Sequence, residues 1–196
     1  MRLLHLRTAL WSLVAVAALS ATGLYAYTTM VRPTSVAGLG QGDYRLQTAD
    51  GETFTRDSLT GSPSMLFFGF THCPEVCPTS LAEMTSWYDR LGAEARDLKA
   101  YFVTVDPERD TAEIIGDYVS WTSHVTGLTG SPEEVEKAAK AWAVYYEKVP
   151  LEGGDYTMDH TASVFLLDRN GDFQGTIAYR ESSDTAIAKL RRLIGS

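Results

Sequence analysis

The chain has 196 residues, two cysteines, 17 Lys+Arg and 25 Asp+Glu, and a formal net charge of −8. This length suits one domain with a sizeable core and an appendage. Two cysteines exclude a disulfide-dense scaffold and a four-cysteine zinc or iron–sulfur site. An acidic chain lacks the basic stripe that nucleic-acid binding needs, so we expect no nucleic-acid partner.

The N-terminal segment carries no charged residue from Thr8 to Val31. A bilayer span takes about 20 apolar residues, so this run is long enough to cross a membrane. We therefore predict a cytoplasmic tip and a single transmembrane helix within residues 1–32. Small and flexible residues at 33–41 predict a linker, and residues 42–196 then form the soluble domain.

The charges beside this run predict its orientation. Arg2 and Arg7 precede it, and basic residues tend to stay on the cytoplasmic side, so the domain is expected outside the cytoplasm. A signal peptide cleaved after Ser20 is the alternative, and it gives the domain the same compartment. Without an Arg- and Ser-rich transit sequence, we expect the inner membrane of a bacterium and a periplasmic domain.

The domain alternates strand and helix patterns. Residues 43–59 predict a hairpin that turns at Asp50-Gly51. Apolar runs and amphipathic spacing predict the elements that follow. The expected strands are 64–70, 99–106, 125–130, 143–149, 162–168 and 174–179. The expected helices run from the cysteines to Gly92, over 111–122, from Ser131 through Trp142, and around 187–194. This order indicates an α/β domain with a mixed sheet.

The two cysteines lie where a strand gives way to a helix. Pro78 is expected at the first helical position, which puts Cys77 near the N-cap. Backbone N–H groups there favour a thiolate, which is both nucleophile and metal ligand. Cys73 and Cys77 could form a structural disulfide, although so short a loop gains little from one. We favour a role as metal ligands, as a redox-active dithiol, or as both.

Three motifs give the chain a resemblance to a known family. They are GFTHCPEVCP at 69–78, VDPERDT at 105–111, and YYEKVP with GDYTMDHTASVFLLD between 145 and 168. Together they resemble the Sco/SenC family of copper-binding proteins. The resemblance implies a thioredoxin-like fold, a copper ion, Cu(I) or Cu(II), held by Cys73, Cys77 and His160, and a role in assembling the dinuclear copper centre of cytochrome c oxidase. It also implies partners: the copper-site subunit of the oxidase, a periplasmic thiol reductant and other copper chaperones.

The ligand chemistry agrees with this resemblance. Two thiolates and one imidazole make a soft site that suits copper or zinc. Zinc usually takes four ligands, so it would need Asp159 or water as the fourth. Asp159 could instead orient the imidazole of His160, and His72 is an alternative ligand beside Cys73.

Other candidate side chains have structural interpretations that we prefer. Met65 and Met84 fit a buried strand and a helix core, while Met158 is a further thioether. Asp106 and Asp110 fit turn formation and helix capping.

Two functions from different classes remain open at this point. The first is a membrane-anchored copper chaperone, which is not an enzyme. The second is a thiol–disulfide oxidoreductase that reduces the cysteines of a copper-site protein. Oxidoreductases of the thioredoxin type usually have C-x-x-C and a proline before a later strand. Here the spacing is C-x-x-x-C and no proline follows Pro150, which favours the chaperone.

Overall fold

The computed structural model describes Trp11, Ser20, Thr22 and residues 38–195. The chain divides into two units, Met1–Val36 and Ala37–Ser196. Trp11, Ser20 and Thr22 are helical, but the rest of the predicted anchor and most of the linker lie outside the described residues. Within the described residues, no helix has the length and apolar character needed to cross a membrane.

The second unit contains nine strands and four α-helices within residues 38–195. The strands are β1 (Leu46–Thr48), β2 (Thr53–Phe54), β3 (Ser64–Gly69), β4 (Lys99–Thr104), β5 (Val125–Thr129), β6 (Tyr146–Pro150), β7 (Tyr156–His160), β8 (Ser163–Leu167) and β9 (Phe173–Ala178). The helices are α1 (Val76–Leu91), α2 (Ala112–Val119), α3 (Pro132–Ala141) and α4 (Ser183–Ile194). Each predicted helix is therefore present, and the predicted hairpin is β1–β2.

Seven strands form one sheet in the order β2-β1-β5-β4-β3-β8-β9. The central strands β3, β4 and β5 are parallel, whereas β1, β2, β8 and β9 pair antiparallel. The predicted mixed sheet is confirmed. Strands β6 and β7 form a separate two-stranded sheet, and β7 is an element that the sequence interpretation missed.

The central strands form the core of the domain. All six residues of β3 and all but the first of β4 are buried, as expected for strands covered on both faces. Helix α1 packs Leu81, Met84 and Trp87 into this core. Because β3 and β4 are parallel, the loops that follow them emerge at the same edge of the sheet. This edge holds both cysteines.

Candidate metal centre

The loop after β3 places the two sulfurs at the N-terminus of α1. The Cys73 N–H donates to the carbonyl oxygen of Phe70 at 3.3 Å, and Glu75 is the N-cap residue. The predicted helix start is therefore wrong by two residues, since Cys77 is the second helical residue and Pro78 the third. The first four helical N–H groups have no partner within the helix, so proline fits there without losing a hydrogen bond.

His160 reaches the cysteines from the other side. It is the last residue of β7, and its Nε2 lies 3.6 Å from Cys77 Sγ. Its Nδ1 lies 3.1 Å from the carbonyl oxygen of Thr161. A carbonyl oxygen only accepts, so this contact places the proton on Nδ1 and leaves the Nε2 lone pair facing the sulfur. The ring of Phe70 packs edge-on against the imidazole, with 5.8 Å between centroids.

The ligand atoms of Cys73, Cys77 and His160 all lie within 4.8 Å of one another. Bonds of about 2.0–2.3 Å to a shared three-coordinate ion hold its ligand atoms roughly 3.7–4.0 Å apart. The group therefore closes on one ion when its ligand atoms move together by up to about 1 Å. Cys77 is fully buried, whereas Cys73 is 8% exposed and lines a cleft of about 290 Å³.

The two cysteines have pKa values shifted in opposite directions. A hydrogen bond from the Cys77 thiol lowers the pKa of Cys73 to about 4. Burial opposes this effect, and hydrogen bonds from the backbone N–H groups of Cys77 and Glu75 strengthen it. The hydrogen bond to Cys73, together with burial and the nearby thiolate charge, raises the pKa of Cys77. The metal-free pair thus holds one thiolate and one thiol, so binding a metal to both sulfurs releases the second proton.

The alternative ligands lie outside this group. His72 is half exposed, and its Nδ1 contacts Thr71 Oγ1 at 3.1 Å. Asp159 is exposed, and Thr161 supplies the oxygen that orients His160. Met65 and Met84 are fully buried in the core, as their packing interpretation predicted. Met158 is buried and lines the cleft beside His160.

The capping interpretation of Asp110 is wrong. Thr111 caps α2 by accepting from the Ile114 N–H, while Asp110 is fully buried. Its carboxylate accepts from the N–H and hydroxyl of Thr71 and from the hydroxyl of Thr104, at 3.0, 2.6 and 2.7 Å. The sequence does place Asp110 in the loop that follows the buried strand β4, and this position is the signal that could have indicated a buried carboxylate near the cysteines.

Asp106 does form the expected turn, because its carbonyl oxygen accepts from the N–H groups of Arg109 and Asp110. Its side chain is also fully buried. The carboxylate accepts from Arg109 Nε at 2.5 Å and from the Tyr156 hydroxyl at 2.8 Å. The contact to Tyr156 joins this turn to β7, whose last residue is His160.

The sheet order, the helices and the cysteine loop define a thioredoxin-like α/β domain with a Cys-Cys-His group that could hold a metal ion. Comparison with known proteins agrees with this class. The model of the SCO1/SenC family matches residues 33–195, and the chain belongs to that family.

Individual relatives share the fold over most of the domain. The solved structure of Bradyrhizobium japonicum ScoI with copper bound is 42% identical, has a TM-score of 0.73, and covers 79% of this chain and 99% of that one. A second solved structure is that of BsSco, a member of the Sco family of cytochrome c oxidase assembly proteins in which a disulfide switch has been identified. It is 26% identical, has a TM-score of 0.62, and covers 80% of this chain and 93% of that one.

A mitochondrial human protein, the SCO1 homolog, is 40% identical over 136 residues, or 67% of this chain. The matched segment spans 45% of that relative's length.

Proposed function

We propose that this chain is a copper chaperone that passes its ion to the copper-site subunit of cytochrome c oxidase and so helps to assemble the dinuclear copper centre. The observation that carries the proposal is the convergence of two sulfurs and one imidazole nitrogen within 4.8 Å. Two relatives support it. The B. japonicum ScoI structure holds copper, and BsSco is described among cytochrome c oxidase assembly proteins.

The ligand set favours copper over zinc. Thiolates select soft ions such as Cu(I), and imidazole suits copper in either oxidation state. Structural zinc takes four protein ligands in almost every case. Among the described residues the group contains only Cys73, Cys77 and His160, which suits a three-coordinate copper ion that is carried as cargo.

The cleft explains how the cargo can leave. Cys73 and His160 line it, together with apolar side chains that include Pro74, Val76 and Ala162. An incoming thiolate or imidazole of the partner can approach the ion from the cleft while the fully buried Cys77 holds it from behind. The ion then moves by exchanging ligands one at a time, without being released to water.

The proposed location is the inner membrane of a bacterium, with a cytoplasmic N-terminus and a periplasmic domain. The uncharged run from Thr8 to Val31 and the preceding Arg2 and Arg7 support it. A C-terminal fusion to alkaline phosphatase, which is active only outside the cytoplasm, should be active. A fusion that is fluorescent in the cytoplasm and inactive as phosphatase would contradict the proposed orientation.

Thiol–disulfide exchange is the second candidate function. Two observations favour it: the pKa of Cys73 is lowered to about 4 beside the Cys77 thiol, and the relative BsSco has a disulfide switch. In this function the Cys73 thiolate attacks a partner disulfide and Cys77 then displaces the partner's sulfur. Two electrons pass to the partner and a Cys73–Cys77 disulfide remains, which a periplasmic thiol reductant must reduce again.

Copper titration of the reduced full chain in mild detergent, against a competing chelator, tests the first function. We expect one copper ion per chain and at least about tenfold weaker binding in the His160→Ala variant. His124→Ala is the matched control, because His124 is exposed and stacks on Tyr88 with 4.3 Å between centroids. Substituting either cysteine removes both functions and cannot distinguish them.

The opposite result favours the oxidoreductase. If His160→Ala binds copper as tightly as the parent chain, and the parent rapidly reduces insulin disulfides, the chaperone proposal fails.

A further inference from the structure

The loop between β4 and α2 contacts both halves of the metal centre. We call residues 105–111 the brace loop. It begins beside the cysteine loop, since the Val105 N–H donates to the carbonyl oxygen of Gly69 at 2.8 Å. None of its side chains belongs to the Cys-Cys-His group. Its two aspartates are fully buried, which is costly for a charge unless it is well hydrogen-bonded.

Asp110 holds the half that carries the cysteines. Its carboxylate accepts two hydrogen bonds from Thr71, which lies two residues before Cys73, and one from Thr104. The Asp110 backbone is itself fixed, because the hydroxyl of Thr129 donates to its carbonyl oxygen at 2.7 Å. The start of the cysteine loop is therefore tied to two strands of the central sheet.

Asp106 and Arg109 hold the half that carries His160. The Tyr156 hydroxyl donates to Asp106, while Arg109 Nη1 donates to the Tyr156 carbonyl oxygen at 2.9 Å. The Arg109 guanidinium also lies over the Tyr156 ring, 3.7 Å from its centroid. Tyr156, the first residue of β7, is thus held through its backbone carbonyl, its hydroxyl and the face of its ring.

The β6–β7 hairpin needs such an attachment. It is a separate two-stranded sheet, and most residues of β6 are exposed. Isolated two-stranded hairpins are marginally stable in water. Within β7, Met158 is buried, and Tyr156 is fixed by the brace loop. These contacts fix the start and the middle of β7, while His160 at its end packs against Phe67 and Phe70.

We propose that the brace loop is a positioning device that sets the distance between the cysteine pair and His160. Asp110 positions the sulfurs, and Asp106 with Arg109 positions the imidazole through Tyr156. Because all three side chains belong to one hydrogen-bonded turn, the two halves of the site are held relative to one another. The inference rests on the proposed copper function but concerns residues that do not touch the ion.

Three variants of the full chain test the two arms separately. Arg109→Gln and the milder Tyr156→Phe weaken the arm to His160, while Asp110→Asn weakens the arm to the cysteine loop. Arg191→Gln is the matched control, because it removes an arginine that binds Glu94 through three contacts between distant parts of the chain. Thermal unfolding followed by circular dichroism confirms that each variant is folded.

With copper, we expect Arg109→Gln to weaken binding by about tenfold, the lower end of the loss seen when a group bonded directly to a metal ligand is removed, because Arg109 acts on His160 through Tyr156. The nitrogen hyperfine coupling of His160 in the electron paramagnetic resonance spectrum of the Cu(II) form should weaken or split into several species. The sulfur-to-copper absorption band should stay near that of the parent. Asp110→Asn should show the reverse pattern. Tyr156→Phe should follow Arg109→Gln with a smaller effect.

Hydrogen–deuterium exchange of the metal-free chain provides a readout that needs no copper. Arg109→Gln should speed exchange in 146–160, and Asp110→Asn should speed it in 70–78. If the parent chain fails to bind copper, the proposed function fails while this exchange pattern still supports the brace. If exchange in 146–160 is unchanged in Arg109→Gln, or if Arg191→Gln alters copper binding and its spectra equally, the brace is refuted.

Discussion

Gly69→Ala offers a direct test of how closely the sheet packs against the metal centre. Gly69 ends β3, and a Cβ atom added there would lie 2.8 Å from Cys77 Sγ and 2.7 Å from Phe102 Cε2. Non-bonded heavy atoms are at their optimum about 3.5–4.0 Å apart. The methyl group therefore lacks roughly 0.7 Å or more on both sides, and both the sulfur and the ring that it meets are fully buried.

Overpacking of this kind costs about 1–3 kcal/mol, offset by roughly 0.5–1 kcal/mol because alanine loses less backbone freedom on folding than glycine. We expect a net loss of about 1–2 kcal/mol, which lowers the melting temperature by about 2–8 °C for a domain of this size. Metal sites tolerate about 0.2 Å of error in ligand distances. A sulfur displaced by several tenths of an ångström should then bind copper at least about tenfold more weakly.

The assay combines thermal unfolding with copper competition on the reduced full chain. Gly127→Ala is the control, because Gly127 lies in β5 of the same sheet and no sulfur is among the atoms nearest to its added Cβ. That Cβ would instead be crowded by atoms of Ile115 at 3.1–3.2 Å. We expect it to lower the melting temperature while copper affinity stays within about twofold of the parent. If Gly69→Ala also keeps parental copper affinity, the sulfur is not confined by β3 and the reasoning is refuted.

Three further predictions concern the same domain. Alkylation of Cys73 by iodoacetamide, followed by mass spectrometry, should be nearly independent of pH between 6 and 8, since a pKa of about 4 leaves the thiolate fully formed there; a rate that rises tenfold per pH unit would contradict this. Met158→Ala should lower the free energy of unfolding by about 2 kcal/mol, measured in urea, because it removes a buried side chain from the wall of the cleft, and a loss below 1 kcal/mol would show that β7 is not anchored there. Ser131→Ala should cost about 1 kcal/mol, because the Ser131 hydroxyl accepts from the Glu134 N–H at the start of α3, and it should leave copper binding unchanged.

The local patterns in the sequence predict most of this fold. The apolar run of β3, the Asp50-Gly51 turn and the Ser131-Pro132 helix start each depend on neighbouring residues, so they can be recognised without the tertiary structure. Helix α1 begins two residues before the predicted start. Proline prefers the first helical position, but any position in the first turn accepts a proline.

The site residues that the sequence interpretation missed depend on distant partners. Asp110 precedes a helix, so capping is its expected local role, and only the fold brings Thr71 to its carboxylate. Strand β7 did carry a signal, since Tyr156, Met158 and His160 alternate as strand residues do. That alternation is short, and β7 lies in a surface hairpin in which Met158 is its one buried residue. The ligand trio itself was named only because the family resemblance links two distant motifs.

The distance along the chain between the two halves of the site has a consequence for folding during synthesis. Cys77 and His160 are 83 residues apart, and closing a flexible loop of that length costs about 4 kcal/mol of chain entropy. An incomplete or unfolded chain offers copper two sulfurs but no imidazole held beside them. In the proposed function, full-strength binding therefore begins only after His160 has been synthesised and the domain has folded around it. In the proposed function, bound copper in turn stabilises the finished domain against unfolding.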